Sequence, residues 1–216
     1  MSFPLIMIGA GGHAKVLLEA LRLTGRQIKG ILTLEKALWG KEVWGIPVLG
    51  NDDRIDLFNP HETELINGIG STGNSSTRIR IFEAMSEKSF SFAKVVHPSA
   101  IISRDTFLGE GAQVMAGAII QPGCEIGNNV IINTGAIVDH DCRIGNHVHL
   151  APGVSISGGV TVGAGTHVGT GASVIQGIII GEAVFVAAGS VVTHDIAKGA
   201  QVRGIPARIA EEGAKW

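Results

Sequence analysis

Residues 126–150 read IGNNVIINTGAIVDHDCRIGNHVHL, and an aliphatic residue occupies every sixth position of this segment. The same rhythm runs outward in both directions, so that every sixth residue from Val96 to Val192 is Val, Ile or Leu. A small, hydroxyl-bearing or aliphatic residue stands four positions after each of them, as Ala136 and Cys142 do. An unbroken short period is typical of a solenoid, and a period of six predicts a parallel β-helix.

The period also predicts which side chains face inward. Each hexad supplies one short strand and one turn, and three hexads close a triangular coil of about 18 residues. The repeated aliphatic residue and the small residue four positions later then fill a narrow interior. Coils stack at the usual strand spacing of about 4.8 Å. Chemistry is therefore expected on the outward positions of the hexads.

Composition limits the possible classes of protein. The chain has 216 residues, 45% of them hydrophobic, and a formal net charge of −2. This length predicts two domains, and the absence of a basic stripe argues against nucleic acid as a partner. The sequence has no apolar run long enough for a membrane span, and its first residues do not resemble a signal peptide. A cytoplasmic location is therefore expected.

The two cysteines, Cys124 and Cys142, are spaced by one predicted coil. Stacked in this way they are close enough for a disulfide, but a cytoplasmic protein favours buried free thiols. We expect free thiols in the interior of the β-helix.

The segment before the repeats predicts a small α/β domain, a half-Rossmann unit at 1–92, and the β-helix with its tail then occupies 93–216. A strand at 4–8 leads into Gly9-Ala10-Gly11-Gly12-His13 and a helix that ends at Gly25. A strand, a glycine turn and a helix form the context in which backbone N–H groups bind phosphate, although a tight turn without a ligand is the alternative. The remaining predicted elements are strands at 28–32, 46–49 and 65–69, a helix at 76–87, and a short or frayed helix at 210–216.

Three histidines on outward positions are candidates for chemistry. His140 lies between Asp139 and Asp141, and a nearby carboxylate makes an imidazole more basic. His149 and His167 are spaced by one coil and should stack. The histidines of the repeats lack the His-x4-His spacing of a β-helix zinc site, so no metal is expected.

Several motifs resemble those of the PglD/NeuD-type hexapeptide-repeat sugar acyltransferases. They are Asn133-Thr134-Gly135-Ala136-Ile137-Val138-Asp139-His140-Asp141, His149, Pro152-Gly153, Ala188-Gly189-Ser190-Val191-Val192, Gly204-Ile205-Pro206-Ala207 and the opening Gly9-Ala10-Gly11-Gly12-His13. The resemblance covers nearly the whole chain. It implies a left-handed β-helix, a homotrimer, acetyl-CoA as donor and active sites between subunits.

The resemblance also implies roles for individual residues. His140 matches the general base, Asp141 its acidic neighbour, and Asn133 an amide that hydrogen-bonds the catalytic imidazole. The acetyl-CoA site would comprise His149 and the backbone of Gly158 near the thioester, together with His167, Ala188 and Pro206. The sugar-nucleotide site would comprise Gly9, Gly11, Gly12, His13, Gly70 and Ser71.

The implied reaction is transfer of acetyl from acetyl-CoA to the amine, expected at C4, of a nucleotide-linked 4-amino-4,6-dideoxysugar. Two alternatives stay open at this stage. One is O-acetylation of sialic acid or another sugar hydroxyl, and the other is a non-catalytic scaffold that binds a nucleotide.

Overall fold

The structure is a computed structural model that describes residues 3–71 and 75–210. The elements of its N-terminal part are β1 Leu5–Ile8, α1 Gly12–Leu23, β2 Ile28–Leu32, β3 Glu42–Val43, β4 Ile46–Gly50, β5 Glu64–Asn67, α2 Ser76–Glu87 and β6 Ser91–Phe92. The strands form a six-stranded sheet with strand order β3-β4-β2-β1-β5-β6, parallel except for the β3–β4 hairpin. The predicted strand at 65–69 ends earlier, and the sequence did not predict β3 or β6.

Residues buried at helical spacing hold α1 against this sheet. Ala14, Leu17, Leu18 and Leu21 are buried, while β1 is buried along its whole length. Gly11 is the N-cap of α1, and no side chain of the described residues bonds the first N–H groups of the helix. Those donors are therefore not satisfied by a side-chain cap, as an anion site at a helix start requires.

The C-terminal part is a left-handed parallel β-helix built from three sheets of very short strands. The first sheet contains β7 Val95–Val96, β10 Gln113–Val114, β13 Ile131–Ile132, β16 His149–Leu150, β19 His167–Val168, β22 Phe185–Val186, β24 Gln201–Arg203 and the antiparallel β25 Arg208–Ile209. The second contains β8 Ile101–Ile102, β11 Ile119–Ile120, β14 Ile137–Val138, β17 Ser155–Ile156, β20 Ser173–Val174 and β23 Val191–Val192. The third contains β9 Phe107–Leu108, β12 Glu125–Ile126, β15 Arg143–Ile144, β18 Thr161–Val162 and β21 Ile179–Ile180.

The interior of the β-helix is lined by the residues that the period predicts. Ile132, Val138 and Ile144 are fully or almost fully buried, and they belong to one apolar cluster that runs along the β-helix. Cys124 and Cys142 are free and buried in the same cluster, which confirms the prediction of interior thiols.

The outer face of the first sheet packs against the α/β domain through buried polar groups. Asn67 at the end of β5 accepts a hydrogen bond from Gln113 of β10, at 2.8 Å from Nε2 to the backbone oxygen. Arg78 of α2 donates to the backbone oxygens of Asn67 at 3.0 Å and of Asn129 at 3.3 Å. The two parts of the chain are thus joined by hydrogen bonds that water does not reach.

Two regions differ from the sequence expectations or lie beyond them. The exit sequence around Gly204 forms the β24–β25 hairpin, which the hexapeptide period did not predict. The predicted tail helix falls mainly on 211–216, outside the described residues. Within the described residues, no helix is long and apolar enough to cross a bilayer.

Candidate active site

His140 and Asp141 form a hydrogen-bonded pair at one corner of the β-helix. They occupy the turn between β14 and β15, where the second sheet gives way to the third. His140 Nδ1 lies 2.8 Å from Asp141 Oδ2, and the two side chains are 61% and 73% exposed. Asp141 has a positive φ of 59°, a conformation that Asp tolerates better than most residues. The hydrogen bond to Asp141, and then the charge of Asp139, raise the pKa of His140.

Gly158 lies in the corresponding turn of the next coil, directly against the His140 ring. A Cβ on Gly158 would lie 2.6 Å from both Cε1 and Nε2 of His140, so only a residue without a side chain leaves room for this ring position. The neighbouring Gly159 N–H donates to the His140 carbonyl at 2.8 Å. Within residues 3–71 and 75–210, no group accepts a hydrogen bond from the Gly158 N–H.

A large cleft lies at a different corner, between the α/β domain and the first sheet. Its volume is about 1190 Å³. All six residues predicted to bind the sugar nucleotide line this cleft, namely Gly9, Gly11, Gly12, His13, Gly70 and Ser71. His149, His167, Ala188 and Asn133 line it as well. The cleft therefore brings together residues for which the sequence predicted three different roles, namely catalysis, acetyl-CoA binding and sugar-nucleotide binding.

His149 is held by hydrogen bonds at both ring nitrogens. The Asn133 side-chain oxygen accepts from Thr134 N–H at 2.8 Å, so its Nδ2 faces His149 Nε2 at 3.0 Å and donates to it. The proton of the imidazole is then on Nδ1, which donates to Ser71 at 2.6 Å from Oγ and 3.1 Å from the backbone oxygen. Burial first, and then nearby positive groups, lower the pKa of His149 to about 3. His149 is therefore a neutral hydrogen-bonding group at neutral pH.

Within one chain the Asn133 amide bonds His149 and not His140, so its predicted hydrogen bond to the catalytic imidazole is not made inside the chain and stays a prediction. The physical reason is the corner that each residue occupies. Asn133 follows β13, at the corner between the first and second sheets, whereas His140 follows β14, one corner later.

The predicted acetyl-CoA residues also divide among three places in one chain. His149, His167 and Ala188 line the cleft, and Gly158 touches His140. Pro206 lies in the exposed turn between β24 and β25, after a cis peptide bond.

The outward residues of the first sheet stack as the period predicts. The ring centroids of His149 and His167 are 4.9 Å apart, and those of His167 and Phe185 are 5.3 Å apart. Burial lowers the pKa of His167. Its Nδ1 is buried and has no hydrogen-bond partner among the described groups.

Two buried residues beside the cleft were missed by the sequence analysis. Gln113 occupies the outward position two coils before His149 and bonds His13, with 2.7 Å between Oε1 and Nε2. Arg78 is buried and donates to the backbone oxygen of Ile69 at 2.7 Å, and burial lowers the pKa of Arg78 to about 9. The signals were present, since Gln113 shares the 18-residue column of His149 and Arg78 is in helical register with the buried Ile81, Phe82 and Met85.

Comparison with known proteins places these features in a family. Residues 4–85 match the PglD N-terminal domain, and residues 105–140 and 124–158 match the bacterial transferase hexapeptide (six repeats). The acetyltransferase domain of PglB from Neisseria gonorrhoeae is 34% identical, with a TM-score of 0.89, and the match covers 97% of this chain and 100% of that one. The chain belongs to the PglD-type hexapeptide-repeat sugar acetyltransferases. This confirms the resemblance and the fold predicted from the sequence.

Two further relatives show what members of this family handle. A histidine-to-asparagine mutant of perosamine N-acetyltransferase from Caulobacter crescentus, in complex with CoA and GDP-perosamine, is 37% identical with a TM-score of 0.90, covering 98% of this chain and 100% of that one. UDP-N-acetylbacillosamine N-acetyltransferase of Bacillus subtilis is 40% identical over 112 residues, which are 51% of this chain and 50% of that protein. The chain thus aligns with about half the length of this curated relative. The described residues contain no group of three His, Cys, Asp or Glu side chains that could hold a metal.

Proposed function

We propose that this chain transfers the acetyl group of acetyl-CoA to the amine of a nucleotide-linked 4-amino-4,6-dideoxysugar. The observation that carries the proposal is the exposed His140–Asp141 pair at 2.8 Å, set against the Gly158 turn, in a member of a sugar acetyltransferase family. The relatives crystallised with acetyl-CoA, or with CoA and GDP-perosamine, support this donor and this class of acceptor. Acetyl-CoA and nucleotide-linked sugars are soluble metabolites of the cytoplasm, where we place the reaction.

His140 is the general base in this proposal. Asp141 accepts a hydrogen bond from Nδ1–H, so Nε2 keeps its lone pair for the proton of the attacking amine. The amine nitrogen forms a bond to the thioester carbon, the carbon–sulfur bond breaks, and the CoA thiolate takes up a proton. An amine with a pKa near 8 and an imidazole near 6.5 differ by about 1.5 units, or about 2 kcal/mol. Asp141 narrows this gap because it raises the pKa of His140.

The Gly158 N–H suits the second task, which is to stabilise the oxyanion of the thioester carbonyl. It is next to the imidazole and, among the described residues, has no acceptor of its own. A backbone donor that is fixed before the reaction stabilises developing charge without reorganisation, and one such donor is worth about 10²–10³ in rate.

The cleft suits the nucleotide part of the acceptor. Among the described side chains none caps the start of α1, and Gly9, Gly11 and Gly12 leave the backbone accessible to phosphate oxygens. The volume of about 1190 Å³ exceeds that of a typical small-molecule pocket, so a sugar nucleotide has room in it.

A homotrimer with shared active sites would bring the base and the cleft together. In one chain His140 lies at the corner between the second and third sheets, while the cleft opens at the corner between the first and second. The outer face of the second sheet between them carries an apolar stripe, Ile101, Ile119 and Ile137, of which Ile101 is 65% exposed. We infer that this stripe packs against a neighbouring copy, and that His140 of one copy reaches the cleft of the next.

The activity is tested by the release of CoA thiol. Acetyl-CoA is mixed with UDP-, GDP- or dTDP-linked 4-aminosugars, and in parallel with free and CMP-linked sialic acid. The proposal predicts turnover with an aminosugar, whereas turnover with sialic acid alone would establish O-acetylation. No turnover and no acetyl-CoA binding by calorimetry would leave a nucleotide-binding scaffold.

The role of His140 is tested in the same assay. His140→Ala should lower kcat by about 10²–10⁴, the usual contribution of a general base. His194→Ala is the matched control, because His194 is an exposed histidine in the corresponding turn three coils further along. Near-normal turnover by His140→Ala would remove it as the base.

The shared site is tested by complementation. His140→Ala is unfolded and refolded together with a cleft variant, Asn133→Ala, after each has been measured alone and found to be inactive. Mixed trimers that combine an intact base with an intact cleft from a neighbouring copy should regain activity. Mixtures that stay inactive although mass spectrometry detects mixed oligomers would contradict a site made by two copies.

A further inference from the structure

The orientation of the Gln113 amide determines what His13 presents to the cleft. Gln113 is buried, and its Nε2 donates to the backbone oxygen of Asn67 at 2.8 Å. Turning the amide round would place two oxygens at this distance with no hydrogen between them. The amide therefore keeps Nε2 toward Asn67, and its Oε1 faces His13 Nε2 at 2.7 Å.

This contact fixes the tautomer of His13. Because Gln113 Oε1 can only accept, the hydrogen lies on His13 Nε2. Burial, followed by the positive charge of Arg78, lowers the pKa of His13 to about 4, and His149 nearby is neutral as well. At neutral pH, Nδ1 therefore carries a lone pair. No described group donates a hydrogen bond to it.

Several other groups of the cleft have the opposite character. The backbone N–H groups at the start of α1 are donors, and Asn133 presents its Nδ2. The Ser71 oxygen accepts from His149, so its own O–H is a donor, and both nitrogens of His149 are already bonded. Donors suit phosphate oxygens, whereas an imidazole lone pair repels them. His13 Nδ1 thus needs a ligand group that brings its own hydrogen.

We propose that His13 binds a hydroxyl or N–H group of the acceptor through its unprotonated Nδ1, and that Gln113 is the positioning residue that fixes this tautomer. The proposal rests on the proposed function, because it takes the ligand of the cleft to be a sugar nucleotide. It assigns His13 to the recognition of a sugar or amine donor group, and the phosphates to the backbone of the glycine loop.

Two variants separate the roles of the ring nitrogens of His13, because each places an amide near only one of them. The side-chain oxygen of His13→Asn can replace Nδ1 as an acceptor, while the longer His13→Gln places its amide near Nε2 and keeps the contact with Gln113. Calorimetry with GDP-perosamine and with a UDP-linked 4-aminosugar measures the Kd of the acceptor. We expect His13→Asn to stay within about threefold of the wild type and His13→Gln to bind about tenfold more weakly, as loss of one hydrogen bond implies. The reverse order, or equal loss in both, would overturn the proposal.

The tautomer is measured directly in the wild-type protein, which guards against variants that fail to fold. Nitrogen-15 NMR of the histidine rings at neutral pH should show His13 with a protonated Nε2 and an unprotonated Nδ1, assigned by the signal that His13→Asn removes. Gln113→Glu should add a proton to Nδ1, because a carboxylate favours the charged imidazole. That variant should also weaken acceptor binding by about tenfold while the KM for acetyl-CoA stays within twofold. A wild-type His13 with its hydrogen on Nδ1 would refute the assignment.

Failure of this inference is distinguishable from failure of the proposed function. One outcome is that no CoA is released, while His13→Asn still binds the acceptor more tightly than His13→Gln. That outcome would refute acetyl transfer and leave the inference standing. Normal turnover with the reverse order of the two variants would refute the inference alone. Absence of binding by any sugar nucleotide would refute both.

Discussion

Replacing Gly158 with alanine tests the proposed geometry of the base without removing any catalytic group. A Cβ at this position would lie 2.6 Å from Cε1 and Nε2 of His140. Normal carbon contacts begin near about 3.5 Å, so the ring must move by roughly 0.9 Å. The ring belongs to an exposed side chain and is free to move, so the added methyl displaces the base and does not disrupt the fold.

The expected result is a loss of rate with little loss of stability. A displacement of about 1 Å in a catalytic group costs up to about 10²-fold, and we expect kcat to fall by about 10- to 100-fold. Gly158 does not have a positive φ, so alanine is compatible with its backbone, and the free energy of unfolding should change by less than about 1 kcal/mol. Stopped CoA-release assays and urea denaturation measure the two quantities.

Gly117→Ala is the matched control for this variant. Gly117 lies in the turn between β10 and β11 and has a φ of 66°. Among the described residues, no atom lies within 4 Å of a Cβ added there. A left-handed alanine costs about 1–2 kcal/mol, so this variant should lose stability and keep its kcat. A Gly158→Ala enzyme with wild-type kcat would show that catalysis does not depend on the ring position described above.

The remaining predictions concern Asp141 and Arg78. Asp141→Asn removes the main cause of the raised pKa of His140, so the acidic limb of the profile of kcat/KM against pH should move to lower pH, and kcat at its plateau should fall. Asp139→Asn is the control and should move the acidic limb less. An acidic limb that does not move in Asp141→Asn would contradict the pairing of His140 with Asp141. Arg78→Met deprives the backbone oxygens of Ile69 and Asn129 of a buried donor, at about 1–3 kcal/mol each, partly offset by removal of a buried charge. We expect the free energy of unfolding, measured in urea, to fall by about 2–4 kcal/mol in Arg78→Met and by less than about 0.5 kcal/mol in Arg80→Met, where the arginine is exposed. Equal decreases in the two variants would show that the buried contacts of Arg78 contribute nothing to stability.

The six-residue period was sufficient to predict the β-helix, its interior and the outward position of His140. The reason is that inward positions are filled by one kind of side chain, so Val138 and Cys142 define the direction in which His140 must point. The stacking of His149 on His167 follows from the same period. The glycine loop and His13 were predicted to share a site, and both line the cleft.

The period could not predict contacts that depend on how far a side chain reaches. Within one chain Asn133 contacts His149 and not His140, because Asn133 lies at a different corner of the coil from His140. A positive φ recurs at every sixth residue from Gly111 to Gly189, Asp141 included, but the period does not specify that the Asp141 side chain points toward His140. The contact of Gln113 with His13 joins residues far apart in sequence and arises only when the α/β domain packs on the first sheet.

The buried hydrogen bonds of Asn67 and Arg78 also limit how such proteins can be recombined. The bonds to Gln113 and Asn129 join a group on the α/β side to a backbone or side-chain group on the repeat side. A graft of the first 92 residues onto another hexapeptide β-helix would leave these donors and acceptors buried without hydrogen-bond partners or water. A workable chimera of this protein must therefore carry Gln113 and Asn129 with the transplanted part, so the unit of exchange extends beyond the sequence boundary into the first two coils of the column.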